Sequence, residues 1–525
     1  MRSSKWVAPC VVVLAACFAE TQPTGHDGGD DSGQQAQQDG GGSGDATTDG
    51  ASSSSSVART FAFHQLTVFP SEEPPRPALP ADGSLIVFTN AVAAQGSRNH
   101  LFTIKPDGTG LTEIDSMPKS GTTWAEVSPN GKQIVWGDGT ELRSVSPDGS
   151  NKQTLLTLTG GKYNEFHFTG DSTKVIYVVA PYDATANGGA VERGLWMMNA
   201  DGSGKSQVLG PTAIAAAGGG GVTADQVAPY YTCSSASAHA AAASLNGARV
   251  TLAAYKPGVV SWLLAANGGS ARKLVETSGY TYDAYTTGLS SDGTKALYVM
   301  ALAGTQTAEV GVIGFDGTGR VPITTSDATF LGSSCAPVFL TPDGSKVYVA
   351  EAGRVFAADG SGVMQLDSEG ATRDGVMNAD ATRFAFKAFD VTEGHYFLWG
   401  AEVNPSSLGG APTISNVQLS TSSVTAGTNS TIIVSARISG QAAITRVHMR
   451  LMAGGLVDSG PFDGALVDDG KVGDAAAGDG VFTGVLPVYT YTKAGAKVVR
   501  VRAETIVAGR RHFTEVEVPG LTVAN

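Results

Sequence analysis

Charged residues and cysteines are scarce in this sequence of 525 residues. Asp, Glu, Lys and Arg together make up 16% of it, and there are four cysteines. Acidic residues outnumber basic ones by 48 to 35, the formal net charge is −13, and there is no basic run. We therefore expect no nucleic-acid partner, because binding phosphates requires clustered Lys and Arg. No apolar stretch reaches the roughly 18 residues typical of a membrane-spanning helix.

Motifs that carry enzymatic chemistry are also missing. There is no G-x-S-x-G nucleophile elbow in the folded part, no phosphate-binding loop and no dinucleotide fingerprint. The histidines are scattered and show no zinc-binding spacing; they are His26, His64, His100, His167, His239, His395, His448 and His512. We predict a protein that is not an enzyme. A catalytic site built from residues far apart in the sequence stays open.

The N-terminus has the pattern of a secretion signal. Arg2 and Lys5 precede a short apolar segment that ends in Leu14-Ala15-Ala16-Cys17. This ending resembles a bacterial lipobox, which implies that residues 1–17 are a lipoprotein signal peptide and that Cys17 carries the lipid. The alternative is an ordinary signal peptide cut after another small residue. Phe18 stands where an inner-membrane retention signal typically has Asp, which favours an outer-membrane lipoprotein of the bacterial cell envelope, facing the periplasm or the exterior.

Residues 18–57 are rich in Gly, Ser, Gln and Asp, with six Asp and no Lys or Arg. Such a segment cannot bury enough apolar surface to offset its chain entropy, so we predict a disordered tether. The membrane would then be contacted only through the lipid anchor.

A turn motif recurs along most of the remaining chain. In its first form, Asx-Gly precedes an apolar alternating strand, at Asp82, Asn130, Asn246, Asp292 and Asp343, with degenerate copies at Asp171 and Asp380. Successive copies lie 37 to 51 residues apart, except for one gap of 75. A second turn follows within each unit, at Asp107, Asp148, Asp201, Asn267, Asp316 and Asp359. Asx-Gly supplies the positive φ that tight hairpins require.

These repeats predict an all-β fold whose main part is a β-propeller. Each unit holds four strands, and units of 40–50 residues that cannot bury both faces alone stack around an axis. Seven copies predict seven blades over residues 58–405, or six if one copy is misread, with an insertion near 210–240. The seventh unit lacks a fourth strand. We expect residues 60–69 to supply it by pairing with residues near 394–402, which closes the ring and removes exposed sheet edges.

The repeats also resemble a known family. Segments such as "SPNGKQIVW" and "LWMMNADGSGKSQVL" are similar to the repeats of TolB-type propellers and of the non-catalytic propeller in prolyl oligopeptidase relatives. The resemblance covers roughly residues 60–405. It implies the propeller fold, and such propellers serve partner binding, substrate gating and scaffolding alike.

After residue 410 the composition shifts to short alternating strands such as "STIIVSARI" and "KVVRVRAETI". We predict an immunoglobulin-like β-sandwich over residues 411–525. It contains Asp468, Asp469, Asp474 and Asp479, interleaved with glycines, in a stretch similar to one in Ig-like modules of bacterial surface proteins. These oxygens could hold calcium, the one cofactor the sequence suggests; the alternative is a polar hairpin held by Asx turns.

Two cysteines remain outside the signal, Cys233 and Cys335. An oxidising envelope favours a disulfide between them, but they belong to non-adjacent blades and would have to approach within about 7 Å. Aromatic residues lie in the segments that lead into the first strand of several blades. We expect them to line one mouth of the channel; the alternative is that they pack between blades. They are Trp124, Tyr163, Tyr230, Tyr231, Tyr280, Tyr282 and Tyr285.

The sequence therefore favours an anchored lipoprotein whose propeller is a binding or scaffold module for a protein, peptide or glycan. The alternatives are a hydrolase or lyase with its site at the channel mouth, and a purely structural surface protein.

Overall fold

The computed structural model describes most of the chain from residue 59 onward. The described ranges are 59–66, 76–91, 98–118, 123–180, 183–186, 189–218, 221–229, 241–256, 260–268, 270–278, 287–301, 307–327, 338–350, 353–366, 372–390, 395–453, 456–457, 464–489 and 492–525. The predictions for Cys17, the signal and the tether concern residues outside these ranges, as does the predicted disulfide between Cys233 and Cys335.

Seven antiparallel sheets follow one another along the described chain, which confirms the propeller with seven blades. Blade 1 comprises Arg76–Ala78, Ile86–Ala91, Arg98–Ile104 and Thr112–Pro118. Blade 2 comprises Trp124–Val127, Ile134–Gly137, Glu141–Val145 and Gln153–Thr157. Blade 3 comprises Tyr163–Phe168, Lys174–Val179, Gly194–Asn199 and Ser206–Leu209, with a small hairpin of Ala184–Ala186 and Gly189–Val191.

The later blades repeat this arrangement. Blade 4 comprises Ala241–Ala243, Arg249–Lys256, Val260–Asn267 and Ser270–Ser278, with Ala228–Pro229 as an added edge. Blade 5 comprises Thr287–Leu289, Lys295–Ala301, Thr307–Gly314 and Val321–Asp327. Blade 6 comprises Val338–Leu340, Lys346–Val349, Arg354–Ala357 and Val363–Gln365. Blade 7 comprises Thr372–Met377, Arg383–Asp390, His395–Val403 and, from the N-terminus, Thr60–Gln65.

The insertion before blade 4 contains the helix Pro211–Gly218 and the 3-10 turn Ala224–Gln226. None of the described helices is long and apolar enough to cross a membrane. The helix instead buries Ile214 and Ala215 in the core between blades 3 and 4.

The first strand of each blade is the innermost one. First strands contact one another successively from blade 1 to blade 6, and the first strand of blade 7 contacts that of blade 1. They therefore surround the axis of the ring, and each ends at the turn that the sequence motif marks.

All thirteen motif turns have the backbone conformation that the motif requires. The residue after Asx has positive φ in each of them, including Ser172 and Ala381 in the degenerate copies. The first-turn Asx side chain also accepts a hydrogen bond from the backbone N–H two residues later in all seven blades, at 2.9–3.0 Å. The glycine pattern thus reflects a geometry that other residues adopt only at a cost.

These first turns join each blade to the next by hydrogen bonds. Asp171 N donates to Leu245 O at 2.8 Å, for example, and Leu245 N donates to Ser291 O at 2.8 Å. The remaining links are Ala81 N to Pro129 O, Asn130 N to Ser172 Oγ, Ser291 N to Pro342 O, Lys346 Nζ to Asp380 O and Ala379 N to Ala81 O. The relay passes round all seven blades and returns to its start.

A cation three residues after Asx adds a second link in four blades, and in blade 6 the cation Lys346 itself makes the relay link. Its long side chain crosses to the next blade and donates to a turn carbonyl, as Arg249 Nη1 does to Gly293 O at 3.0 Å. The other donors are Lys174, Lys295, Lys346 and Arg383. In blade 2, Gln133 occupies this position and donates to Ala200 O in blade 3.

The N-terminal strand closes the ring by pairing with the third strand of blade 7, with Phe61 opposite Val403 and Gln65 opposite Trp399. Its other edge pairs with Arg510–Ala524, the last strand of the chain. The sequence did not suggest this second pairing. It makes blade 7 and one sheet of the C-terminal region a single ten-stranded sheet.

The C-terminal region is a two-layer β-sandwich. One layer contains Thr413–Leu419, Ser430–Ser439 and Val481–Val488. The other contains Ile444–Ala453, Gly495–Val507 and Arg510–Ala524, with the short strands Ser423–Thr425, Leu456–Val457 and Gly464–Ala465 at its edges. Val434, Met449, Val499 and their neighbours form an apolar core between the layers.

Buried charges lie where this sandwich meets the propeller. Arg500 donates to Glu515 at 3.1 Å, to Glu517 at 2.5 Å and to the backbone oxygen of Gln365 in blade 6 at 2.8 Å. Its guanidinium also lies 4.8 Å from the ring centre of Phe61 in the N-terminal strand. Separating such groups would leave buried charges without partners, so the junction is fixed in one arrangement.

Gly293→Ala tests whether the cation link matters beyond the turn conformation. Gly293 has φ +69°, and an added Cβ would lie 2.7 Å from Cδ of Arg249. Gly268 is the matched control, because its φ is +59° and nothing lies within 4 Å of an added Cβ. We expect Gly268→Ala to lower the free energy of unfolding by about 1 kcal/mol and Gly293→Ala by about 2 kcal/mol or more, measured by urea titration. Equal losses would show that the Arg249 link adds nothing.

Candidate functional site

Two acidic residues and a histidine lie together on the inner wall of the propeller. Glu126 comes from the first strand of blade 2, and Glu165 and His167 come from the first strand of blade 3. His167 Nδ1 lies 3.1 Å from Glu126 Oε2, and its Nε2 lies 3.6 Å from Glu165 Oε1. Glu165 also accepts a hydrogen bond from Ala241 N in blade 4, so this cluster links three blades beside the axis.

The two carboxylates keep His167 charged. Burial alone would lower its pKa, but the charge and hydrogen bond of Glu126, together with Glu165, outweigh burial and raise the pKa to about 10. The imidazolium is thus held at neutral pH with a carboxylate at each nitrogen. A histidine in this state is a poor general base, because it does not release its proton near neutral pH.

The sequence prediction missed this cluster. It treated the histidines as scattered and proposed no role for Glu126 or Glu165. When the repeats are aligned on their first turns, however, Glu126 and His167 occupy the same position, four residues before Asn130 and Asp171. Equivalent positions on neighbouring inner strands lie side by side, so this alignment was the available signal.

Two more distant histidines are also brought together. His64 and His512 belong to the paired N-terminal and C-terminal strands, and their Nδ1 atoms lie 2.9 Å apart in a buried position. Burial, and next the neighbouring His512, lower the pKa of His64 to about 4 against the opposing charge of Asp107. At neutral pH the pair is uncharged, with one ring donating to the other.

The structure describes two of the seven aromatic residues proposed for the channel mouth. Tyr163 is 1% exposed, and its hydroxyl donates to Glu141 O. Trp124 stacks on Phe166 with 5.6 Å between ring centres. These two therefore pack between blades 2 and 3, which is the alternative interpretation, because their rings fill the inter-blade core. Tyr230, Tyr231, Tyr280, Tyr282 and Tyr285 lie outside the described residues.

Three of the four proposed calcium ligands converge in the sandwich. Carboxylate oxygens of Asp468, Asp474 and Asp479 lie within 4.8 Å of one another. Asp469 is not part of this group, because it turns to Lys471, whose Nζ lies 3.5 Å away. The expected set of four is corrected to three.

The same carboxylates also hold the loop itself. Asp468 accepts hydrogen bonds from Gly478 N and Gly480 N, Asp474 from Gly470 N, and Asp479 from Val481 N. These bonds satisfy the polar-hairpin interpretation without an ion. Three like charges at this separation would nevertheless gain from a divalent cation, so the calcium hypothesis stays a prediction.

No known family matches this chain, and no curated protein matches it in sequence. Solved structures are similar to it in fold. An oligogalacturonate lyase from Vibrio parahaemolyticus is 12% identical, with a TM-score of 0.45 over 65% of this chain and 93% of its own. A putative TolB from Agrobacterium tumefaciens is 12% identical, with a TM-score of 0.33 over 55% and 95%. The β-propeller domain of the Trilobed protease from Pyrococcus furiosus is 11% identical, with a TM-score of 0.39 over 62% and 95%.

The shared feature is the β-propeller. Both enzymes and other proteins have it, and at these identities the likeness concerns the fold alone.

The two histidine environments predict opposite pH dependences of stability. The pKa of His167 is raised from 6.5 to about 10, so its contribution is full below pH 6.5 and is lost as the pH rises towards 10. The pKa of His64 is lowered to about 4, so its contribution is full above pH 6.5 and is lost as the pH falls towards 4. We expect His167→Gln to flatten the alkaline limb of a plot of melting temperature against pH, and His64→Gln to flatten the acidic limb. If each variant shifted both limbs equally, the two assignments would be wrong.

The calcium hypothesis predicts that millimolar calcium raises the melting temperature of the chain. Asp474→Asn and Asp479→Asn should abolish this rise, because each removes a converging carboxylate. Asp469→Asn is the control, since it removes one charge from the same loop without touching the group of three. A melting temperature that does not respond to calcium would leave the polar hairpin as the sole interpretation.

Proposed function

We propose that this chain is an envelope lipoprotein, anchored through Cys17, whose propeller binds a partner at the channel mouth formed by the connections into the first strands. The partner is a protein, peptide or glycan. Residues 18–57 act as a spacer between the anchor and the propeller, and the sandwich is an immunoglobulin-like module.

The protonation state of His167, between Glu126 and Glu165 on the inner wall, is the observation that supports this proposal. His167 lies between two carboxylates and remains an imidazolium. The cluster is therefore better suited to a structural role in the channel wall than to acid–base chemistry near neutral pH. A hydrolase or lyase would need an ionisable group poised to exchange a proton, and a pKa of about 10 disfavours His167 for that task.

The position of the inter-blade connections also supports a binding role. Each first strand ends at a hydrogen-bonded turn, so the relay between blades lies at the turn end of the ring. In the sequence, Tyr280, Tyr282 and Tyr285 precede the first strand of blade 5, and we assign them to the opposite end. Aromatic side chains on loops around a rigid ring are a common recognition surface.

Site-specific photocrosslinking in native membranes tests both parts of the proposal. A photoreactive amino acid at position 282 should capture a partner, and the same group at Gln153, an exposed position near the turn end of blade 2, should not. Tyr280→Ala with Tyr285→Ala should reduce the capture at position 282. Cys17→Ala should release the chain from the membrane pellet, because lipidation requires the thiol.

The outcomes separate the alternatives. An adduct confined to position 282 supports recognition, and its mass and protease sensitivity distinguish a protein from a glycan. Equal capture at positions 282 and 153, or none at either, would contradict the proposed mouth and favour a purely structural protein. Retention of the Cys17→Ala chain in the pellet would contradict the lipid anchor.

A further inference from the structure

A cavity of about 490 Å³ lies between blades 4 and 5, at the turn end of the ring. Blade 4 lines it with Arg249 from its second strand and with residues around its second turn, including Asn267 and Arg272. Blade 5 contributes Thr294, Phe315 and Asp316. Its volume is within the range of small-molecule sites.

Two guanidinium groups converge on one aromatic ring in this cavity. The Arg249 Cζ lies 5.2 Å from the ring centre of Phe315, and the Arg272 Cζ lies 5.6 Å from it. A backbone oxygen positions Arg249, which donates to Gly293 O, and Arg272 lies against Phe315 O. Both cations thus line the same cavity and contact the same ring.

Neither guanidinium is neutralised by an ion pair in the part of the chain that the structure describes. Hydrogen bonds from Thr318, and to a smaller extent the charge of Arg272, lower the pKa of Asp316. Among the described residues this carboxylate forms no ion pair with either arginine. Each guanidinium has five N–H donors, of which one is used here in a protein hydrogen bond.

Phe315 sets this inter-blade space apart from the others. The residue just before the second turn is Pro106, Pro147, Ala200, Ala266 or Ala358 in the remaining copies of the motif. The aromatic ring at this one position contacts both guanidinium groups.

We propose that this cavity binds the oxyanion group, carboxylate or phosphate, of a small organic molecule. Arginine is the side chain best suited to such groups, because its planar fork makes paired, charge-assisted hydrogen bonds. Asn267 and Ser270 add polar side chains at the rim. The site is separate from the proposed channel mouth, because it lies at the turn end of the blades.

Binding to the full chain is tested by calorimetry with three organic probes of similar size and with inorganic phosphate. We expect glucuronate or glucose 6-phosphate to bind and glucose, the neutral probe, not to bind. The anion that binds more strongly shows whether the site prefers a carboxylate or a phosphate. Inorganic phosphate alone should bind more weakly than glucose 6-phosphate if the organic part contacts Phe315.

Three variants assign the binding to the cavity. Arg272→Gln should weaken binding of the preferred anion about tenfold or more, because it removes one charged donor group. Arg249→Lys should fold, since lysine occupies this repeat position in blades 3, 5 and 6, but it should also weaken binding because it lacks the guanidinium fork. Arg446→Gln is the control for net charge, as it removes an exposed arginine in the sandwich.

The proposal would be overturned in either of two ways. In the first, glucose binds as well as the anions, or no probe binds at millimolar concentration. In the second, Arg446→Gln weakens binding as much as Arg272→Gln, which would mean that net charge and not this cavity attracts the anion. Selective loss in Arg272→Gln and Arg249→Lys, with unchanged melting temperatures, supports the site.

Discussion

The relay of hydrogen bonds between the first turns of successive blades is the interaction on which the rest of the structure depends. Each blade is a four-stranded sheet that cannot bury both faces by itself, so its stability comes from its neighbours. The Asx side chain holds the turn, the turn presents a carbonyl to the preceding blade, and a cation such as Arg249 or Lys295 reaches that carbonyl. One repeated short motif thus fixes the local turn and the spacing between blades together.

Closure is the second constraint, and both ends of the described chain take part in it. The strand Thr60–Gln65 completes blade 7 and at the same time pairs with Arg510–Ala524. The ring is therefore locked on its outer edge by the sandwich, and Arg500 with its buried carboxylates fixes the contact. Because an N-terminal and a C-terminal strand pair side by side, the closure cannot open without disturbing the sandwich.

Two environments of charged side chains contrast in the described structure. Charged side chains of the channel wall and of the junction, such as His167 and Arg500, form ion pairs within the protein and stabilise the fold. The guanidinium groups of Arg249 and Arg272 lie against backbone oxygens instead and keep most of their donors for another partner. Cations that are positioned but not neutralised favour the binding of an anion.

The sequence by itself determined the seven blades, the position of their turns and the role of the N-terminal strand, because Asx-Gly turns and alternating strands are local signals. It did not reveal the meeting of Glu126 with His167, of His64 with His512 or of Arg249 with Arg272, since each pair joins different strands whose side chains become neighbours only after the sheets have stacked. It also placed Asp469 with the other aspartates, because spacing along a loop does not show which way a carboxylate turns. Residues close in sequence follow local rules, whereas the sites depend on which blade faces which, and only the tertiary structure decides that.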